Sequence, residues 1–508
     1  MLTDITMACP RREFLYLAAA ATVLPIASQI ARAETHPASP SSEPPARPLA
    51  ARPLAERLAA YADGLRYEDL DDATIERVKV HVIDSLGCGL AAFDEKPVRI
   101  CRDVALSRGA GDGATVIGTR RRAAPDLATF ANCAAFRYLD LNDAYVGRIT
   151  GHPSDNIAAC LAVAEAEQAS AAELITAIAL AYEINCRLID AFDVSIGDRG
   201  WDVPVLSLPA VALAAGKLMK LSRDGLAQAV GLALNDHISM AQTRVQSLSD
   251  WKGIADAEAG RNGVFAAMLA RAGLTGPAPI FEGRFGFFKL VAEPAEVDVG
   301  TFGRRGIPFR INQCGLKTYP AHITAQTTVP AGVALAREIG DLDRIAALEI
   351  GTTRRGYQIA GSDTEKWAPD TKETADHSLP YIAARAMFDG GLDNDSYAPE
   401  KLRDPRILAF MRKITVKEDT AFATLTINVP PTRLTATLDD GRRLTRLVDR
   451  MPGFPGQPAS RADVERKFHS NVAGRWPAQR TDAVLQALWA LDRTADLPFL
   501  LSRLALQP

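Results

Sequence analysis

Three histidines stand in polar, turn-rich stretches crowded with other functional groups. His152 lies in LDLNDAYVGRITGHPSDN, His322 in GLKTYPAHITAQ and His377 in KETADHSLPY. Histidine is the side chain that exchanges its proton near neutral pH. His152 follows Asp140, Asn142 and Asp143 and sits between Gly151 and Pro153, a turn context and not a helix face. His322 comes five residues after Lys317, and His377 four before Tyr381. One such histidine is more often structural than catalytic, but three clusters in one chain point to a site.

A second group is cationic. QTRVQSLSDWKG at 242–253 places Arg244 and Lys252 among polar residues ahead of a helical stretch. Such donors can hold a carboxylate, although a solvated loop would look the same. FEGRFGFF at 281–288 reads as a packed turn more than a pocket wall. Histidine, aspartate, tyrosine and several cations together suit proton abstraction beside a carboxylate, followed by loss of water or carbon dioxide. Cations would neutralise substrate carboxylates and the enolate-like charge, while a histidine or aspartate takes the proton.

Other chemistries lack their motifs. There is no GxGxxG after a strand, no GxxxxGK[ST], no GxSxG and no HExxH. Seven cysteines are scattered without a CxxC pair, so neither a zinc site nor an iron–sulfur cluster is supported. The net charge of −3 supplies no basic field for nucleic acid. The chain of 508 residues, 47% hydrophobic and 23% charged, is of ordinary globular composition and long enough for about two to four domains.

These residues must be positioned by a mainly helical frame. From 53 to 310 the pattern is helical. DDATIERVKVHVIDSLGCGLAAF at 71–93 opens with capping residues, and ATVIG at 114–118 is the clear strand. Stretches 155–185, 205–218, 224–234 and 255–273 are rich in Ala and Leu, several without a polar face. The character changes near 311. Strands are predicted at 346–352, 412–418 and 421–429, with a hairpin at 433–448 turning at Asp440-Gly441 and helices at 324–338 and 376–389. Helical patterning returns at 460–473 and 481–493. The reading is a helical domain at 53–310, an α+β domain at 311–458 and C-terminal helices at 459–508 that return to the first domain.

Taken together, the motifs resemble the MmgE/PrpD family, which includes 2-methylcitrate dehydratase and cis-aconitate decarboxylase. They are IDSLGCGLAA at 83–92, YLDLNDAY with GHPSDN at 138–156, GWDVPVLSLPAVALAAGKLMKL at 200–221, and GLALN with QTRVQSLSDWKG at 231–253. FEGRFGF at 281–287, KTYPAH at 317–322 and ETADHSLPY at 373–381 complete the series. Each is weak alone; their number, order and spacing carry the likeness. The resemblance implies a large all-helical domain with a smaller α+β lid inserted before the last helices, a homodimer, no metal or organic cofactor, and a site between the two domains. It implies His152 with Asp140 as an acid–base unit, Tyr381 as a further proton donor, and Lys252, Lys317 and His322 on substrate carboxylates. His322 also stands in the catalytic set, and Arg244 and His377 complete the substrate contacts.

Two departures bear on the reaction. Ala144 stands where some members carry Thr, and Asp202 where some carry His. The decarboxylase relies on that histidine, so the resemblance favours a dehydratase acting on a small hydroxy-di- or tricarboxylic acid. A decarboxylase or isomerase on the same scaffold is the alternative, and a non-catalytic carboxylate-binding protein is another.

The first residues read as an address. Arg11-Arg12 precedes Phe14-Leu15, an apolar run to about Ala27, and Ala31-Arg32-Ala33. This fits a twin-arginine signal at 1–33, followed by a Pro-rich linker at 34–52. The expectation is recognition by the twin-arginine export machinery and a periplasmic protein. Replacing Arg11 and Arg12 together by lysine should hold the protein in the cytoplasm on fractionation, and unchanged export would exclude this route.

Overall fold

The computed structural model describes residues 51–506 apart from 108–112, 194 and 424–428. The expected signal and nearly all of the linker lie outside the described residues. The fold is mainly α: a large helical body carries a smaller lid built on a β-sheet, inserted before the C-terminal helices. Among the described residues, no helix is long and apolar enough to cross a membrane.

Helices without a polar face go to the middle of the body. Ala171–Ala191 buries residues on all sides, Ile178, Tyr182 and Leu188 among them. The single long stretch expected at 155–185 is two helices. Ile157–Ala166 ends first, Gln168 turns the chain with φ 52°, and a reciprocal Ser170–Glu173 capping box starts the next helix. Small residues then let helices approach closely. A Cβ built on Gly263 of the helix Ala255–Arg271 would lie 2.7 Å from Val211 on Ser207–Leu218. One on Gly89 of the helix Asp72–Ala91 would lie 2.6 Å from the Phe136 ring. Asp71 caps Asp72–Ala91 by accepting from the Thr74 N–H. The strand near 114 is a two-residue ribbon, Ala114–Thr115 against Arg122–Ala123.

Of the C-terminal helices, Arg461–Asn471 and Ala478–Trp489 pack back on Asp72–Ala91. Phe468 covers Gly87, where an added Cβ would come within 3.0 Å of its ring. Two ion pairs flank this apolar contact, Lys467–Asp84 at 2.6 Å and Lys79–Asp492 at 2.7 Å.

The lid sheet has four strands, ordered Ile414–Glu418, Ile345–Thr352, Thr432–Leu438 and Arg443–Val448. The first pair is parallel and the others antiparallel. Leu348 faces Ala436 and Ile350 faces Leu434, all four buried beneath the helices Thr328–Ile339 and Leu379–Asp389. The hairpin turns at Gly441, whose φ of 84° is the conformation Asp-Gly was expected to supply. The strand expected at 421–429 is not formed at its start, where Thr420–Phe422 makes a 3-10 turn capped by Asp419; residues 424–428 lie outside the described residues.

A small three-stranded sheet sets the position of the site. Asp143–Val146 pairs on one edge with Thr150–Gly151 and on the other with Gly315–Leu316, where the chain leaves the body for the lid. It brings the segments of Asp140, His152 and Lys317 together, although they are distant in sequence.

Candidate active site

Asp140 follows the helix Pro125–Tyr138 in the left-handed region, with φ 52°. Its carboxylate is fully buried and receives three cations. Arg137 and Lys317 each lie 2.5 Å from Oδ1, and Lys252 lies 3.2 Å from Oδ2. Lys252 also bridges to Asp376 of the lid at 3.1 Å, and Lys372 reaches Asp376 at 3.0 Å. Burial opposes ionisation of Asp140, but the nearby cations outweigh it and hold its carboxyl well below the ordinary range. Burial acts on the lysines in the opposite sense and brings Lys317 down to about 8. Asp140, Asp376 and His377 lie close enough to share a metal ion, but the Lys252 ammonium bridges the two carboxylates.

His152 is oriented by the backbone. Its Nδ1 lies 2.7 Å from the Asp143 carbonyl oxygen, which can only accept. Nδ1 therefore carries the proton and Nε2 keeps its lone pair. The Asp143 carboxylate steadies the turn, accepting from the Ser154 hydroxyl at 2.6 Å and the Tyr182 hydroxyl at 2.8 Å. His322 has the opposite tautomer. Its Nδ1 meets the Thr324 hydroxyl at 2.9 Å, a group able to donate or accept, and the Thr324 N–H, which can only donate, at 3.4 Å; with both donating to Nδ1, Nε2 carries the proton. The His377 Nδ1 donates to Asp376 at 2.6 Å, and its ring lies 4.5 Å from that of His322.

All three histidines line one cavity of about 370 Å³ between body and lid. A larger cleft of about 690 Å³ beside Tyr319 and Lys467 carries no histidine. Arg137, Asn185, Asp202 and Arg244 line the cavity from the body, and Thr324 and Arg355 from the lid. Arg244 donates to Asp202 at 2.8 Å, to Asp256 at 3.3 Å and to the Lys252 carbonyl at 3.0 Å. Burial drives all three histidines towards the neutral form. Arg137 and Lys317 add to this at His152, His377 at His322, and Lys252 at His377, which falls to about 3.

The structure thus brings His152, His322, His377 and Arg244 to one cavity and corrects the placement of the others. Lys252 and Lys317 are absent from its lining, because both are spent on buried aspartates. Asp140 makes no hydrogen bond to His152 among the described residues; it acts on that ring only through its charge. Tyr381 is buried in the lid core, where its hydroxyl donates to the Ser396 carbonyl at 2.6 Å, and it does not line the cavity. Arg137, Asp256 and Arg355 escaped the sequence reading. Arg137 and Asp256 stand three before Asp140 and four after Lys252, which was a usable signal; Arg355, in TTRRG, offered none.

Neutral buried histidines couple stability to pH. Below 6.5 the unfolded chain protonates histidines that the native chain keeps neutral, so stability falls as the pH falls. Asp155, whose carboxyl is raised by burial and by Asp256, works in the opposite direction, so a difference between variants is the clean test. His322→Gln should lose less stability than the parent between about pH 7 and pH 5, by up to about 1.4 kcal/mol per pH unit. Equal losses in thermal or urea unfolding would mean that His322 is not held neutral.

Comparison with known proteins places the chain in a family. The MmgE/PrpD N-terminal domain matches residues 56–299 and the MmgE/PrpD C-terminal domain matches residues 319–491. The chain is 29% identical over 460 residues to the 2-methylcitrate dehydratase of Cupriavidus necator, covering 85% of this chain and 93% of that one. It is 26% identical over 456 residues to the 2-methylcitrate dehydratase of Escherichia coli strain K12, covering 84% and 92%. It is 23% identical over 465 residues to the cis-aconitate decarboxylase of Mus musculus, covering 87% and 91%. With both family domains matched in order along a helical body and its inserted lid, the chain belongs to the MmgE/PrpD family.

Proposed function

We propose that the protein is a lyase that eliminates water from a small hydroxy-di- or tricarboxylic acid, as the 2-methylcitrate dehydratases it resembles are named for doing. The observation that carries this reading is the pair of opposite tautomers in one cavity. His152 offers an Nε2 lone pair and His322 an Nε2–H. His152 takes the proton from the carbon beside a carboxylate, and Arg355, the cavity arginine without an acid partner among the described residues, stabilises the enolate-like charge. His322 gives its proton to the departing hydroxyl, which leaves as water. The imidazolium of His152 and the deprotonated His322 then restore each other by proton exchange through water.

The same resemblance supports a homodimer. Ile238, Met240 and Trp251 are large apolar side chains left exposed along one segment, as an interface would require. Light scattering should give twice the chain mass, and a monomer at working concentration would remove the dimer.

Activity is tested on purified residues 34–508 with 2-methylcitrate, citrate, tartrate and malate, following ultraviolet absorbance of an unsaturated acid and product mass. The parent should produce the unsaturated acid, and His152→Ala should lose about a hundredfold or more in rate. Release of carbon dioxide would move the assignment to a decarboxylase. Binding without turnover would move it to a carboxylate-binding protein.

A further inference from the structure

Four arginines line the cavity, and three already have acid partners. Arg137 holds Asp140, and Arg148 pairs with Asp193 at 3.6 Å. Every guanidinium nitrogen of Arg244 is used, by Asp202, Asp256 and the Lys252 carbonyl. Arg355 makes no hydrogen bond or ion pair among the described residues and feels Asp202 and Asp198 only through their charge, so its guanidinium nitrogens are the ones left for an incoming anion.

Asp202 is the unusual member of this wall. It is buried and lines the cavity, and its Oδ2 accepts from Arg244 Nε at 2.8 Å. Oδ1 accepts the Val203 N–H at 2.9 Å and caps the 3-10 turn Val203–Leu206. Its own N–H is fixed to the Ser239 carbonyl at 2.7 Å. The carboxylate is therefore held in place and presents to Arg244 the contact that a substrate carboxylate would make. A second carboxylate brought to that position would meet a like charge in a desolvated site.

We propose that Asp202 is a built-in carboxylate that occupies Arg244 and restricts the cavity to hydroxy acids with one or two carboxylates, one of them held by Arg355. The inference deepens the lyase reading and rests on it for the identity of the site. Asp202 is thus a specificity-determining residue, excluding tricarboxylic acids by charge.

The test measures binding apart from turnover. Malate and citrate are titrated by calorimetry into the parent, Asp202→Asn and Arg355→Gln. Asparagine keeps an acceptor for the Val203 N–H, so the turn should survive; Asp202→Ser, which also caps, replaces it if thermal unfolding shows a misfolded variant. The parent should bind malate about tenfold more tightly than citrate, and Asp202→Asn should erase that preference by gaining citrate. Arg355→Gln should weaken malate about tenfold or more. Equal affinities of the parent for the two acids, no binding of either, or an unchanged ratio in a folded Asp202 variant would overturn the proposal. Selective binding with no turnover would instead overturn the lyase reading and leave this inference standing. Turnover without selectivity would do the reverse.

Discussion

A carboxylate without access to water organises this molecule. Ionised and fully buried, Asp140 can exist only if cations meet it, and those cations come from the end of a body helix, the turn before another, and the chain leaving for the lid. Three remote segments are thereby drawn to one point. Lys252 carries the constraint onward to Asp376, so the lid is bound to the same charge set. A buried ion network of this kind is costly to assemble and costlier to break, by about 3–5 kcal/mol when one partner is lost. It serves better as a positioning device than as a source of stability.

The same cations decide the chemistry next to it. Arg137 and Lys317 sit near enough to His152, and Lys252 near enough to His377, to add to the burial that keeps those rings neutral. A neutral imidazole is a base at one nitrogen and a donor at the other, and the backbone selects which nitrogen faces outward. The Asp143 carbonyl makes one choice for His152 and the Thr324 N–H makes the other for His322. The polar turns that looked chemically rich in the sequence act by fixing tautomers.

Much of this was legible beforehand. Helical periodicity, the Asp440-Gly441 turn and the return of helices after 460 each rest on local physics, and each is found. His152, His322 and His377 announced themselves by their polar company. The errors share one cause: spacing reveals which side chains carry charge but not which opposite charge they find. Lys252 and Lys317 were read as carboxylate holders, and they are, but the carboxylates belong to the protein. Tyr381 differs for a similar reason, since nothing in HSLPY shows that the Ser396 carbonyl will accept its hydrogen bond. Arg355 was invisible because nothing in TTRRG shows that it meets no acid partner among the described residues. At 155–185 the Ser170–Glu173 spacing was present, and the apolar run masked it.

The insertion of the lid has a temporal meaning as well as a spatial one. Asp84 and Lys79 lie on a helix near the start of the body, while their partners, Lys467 and Asp492, follow the whole lid in the chain. Until they are made, the two charges on the helix Asp72–Ala91 lack these partners and Gly87 lacks the Phe468 ring that covers it. The lid, whose core is separate, is synthesised in full during that interval. Order of assembly is thus written into the connectivity: the part that covers the site can fold before the part that bears it is closed.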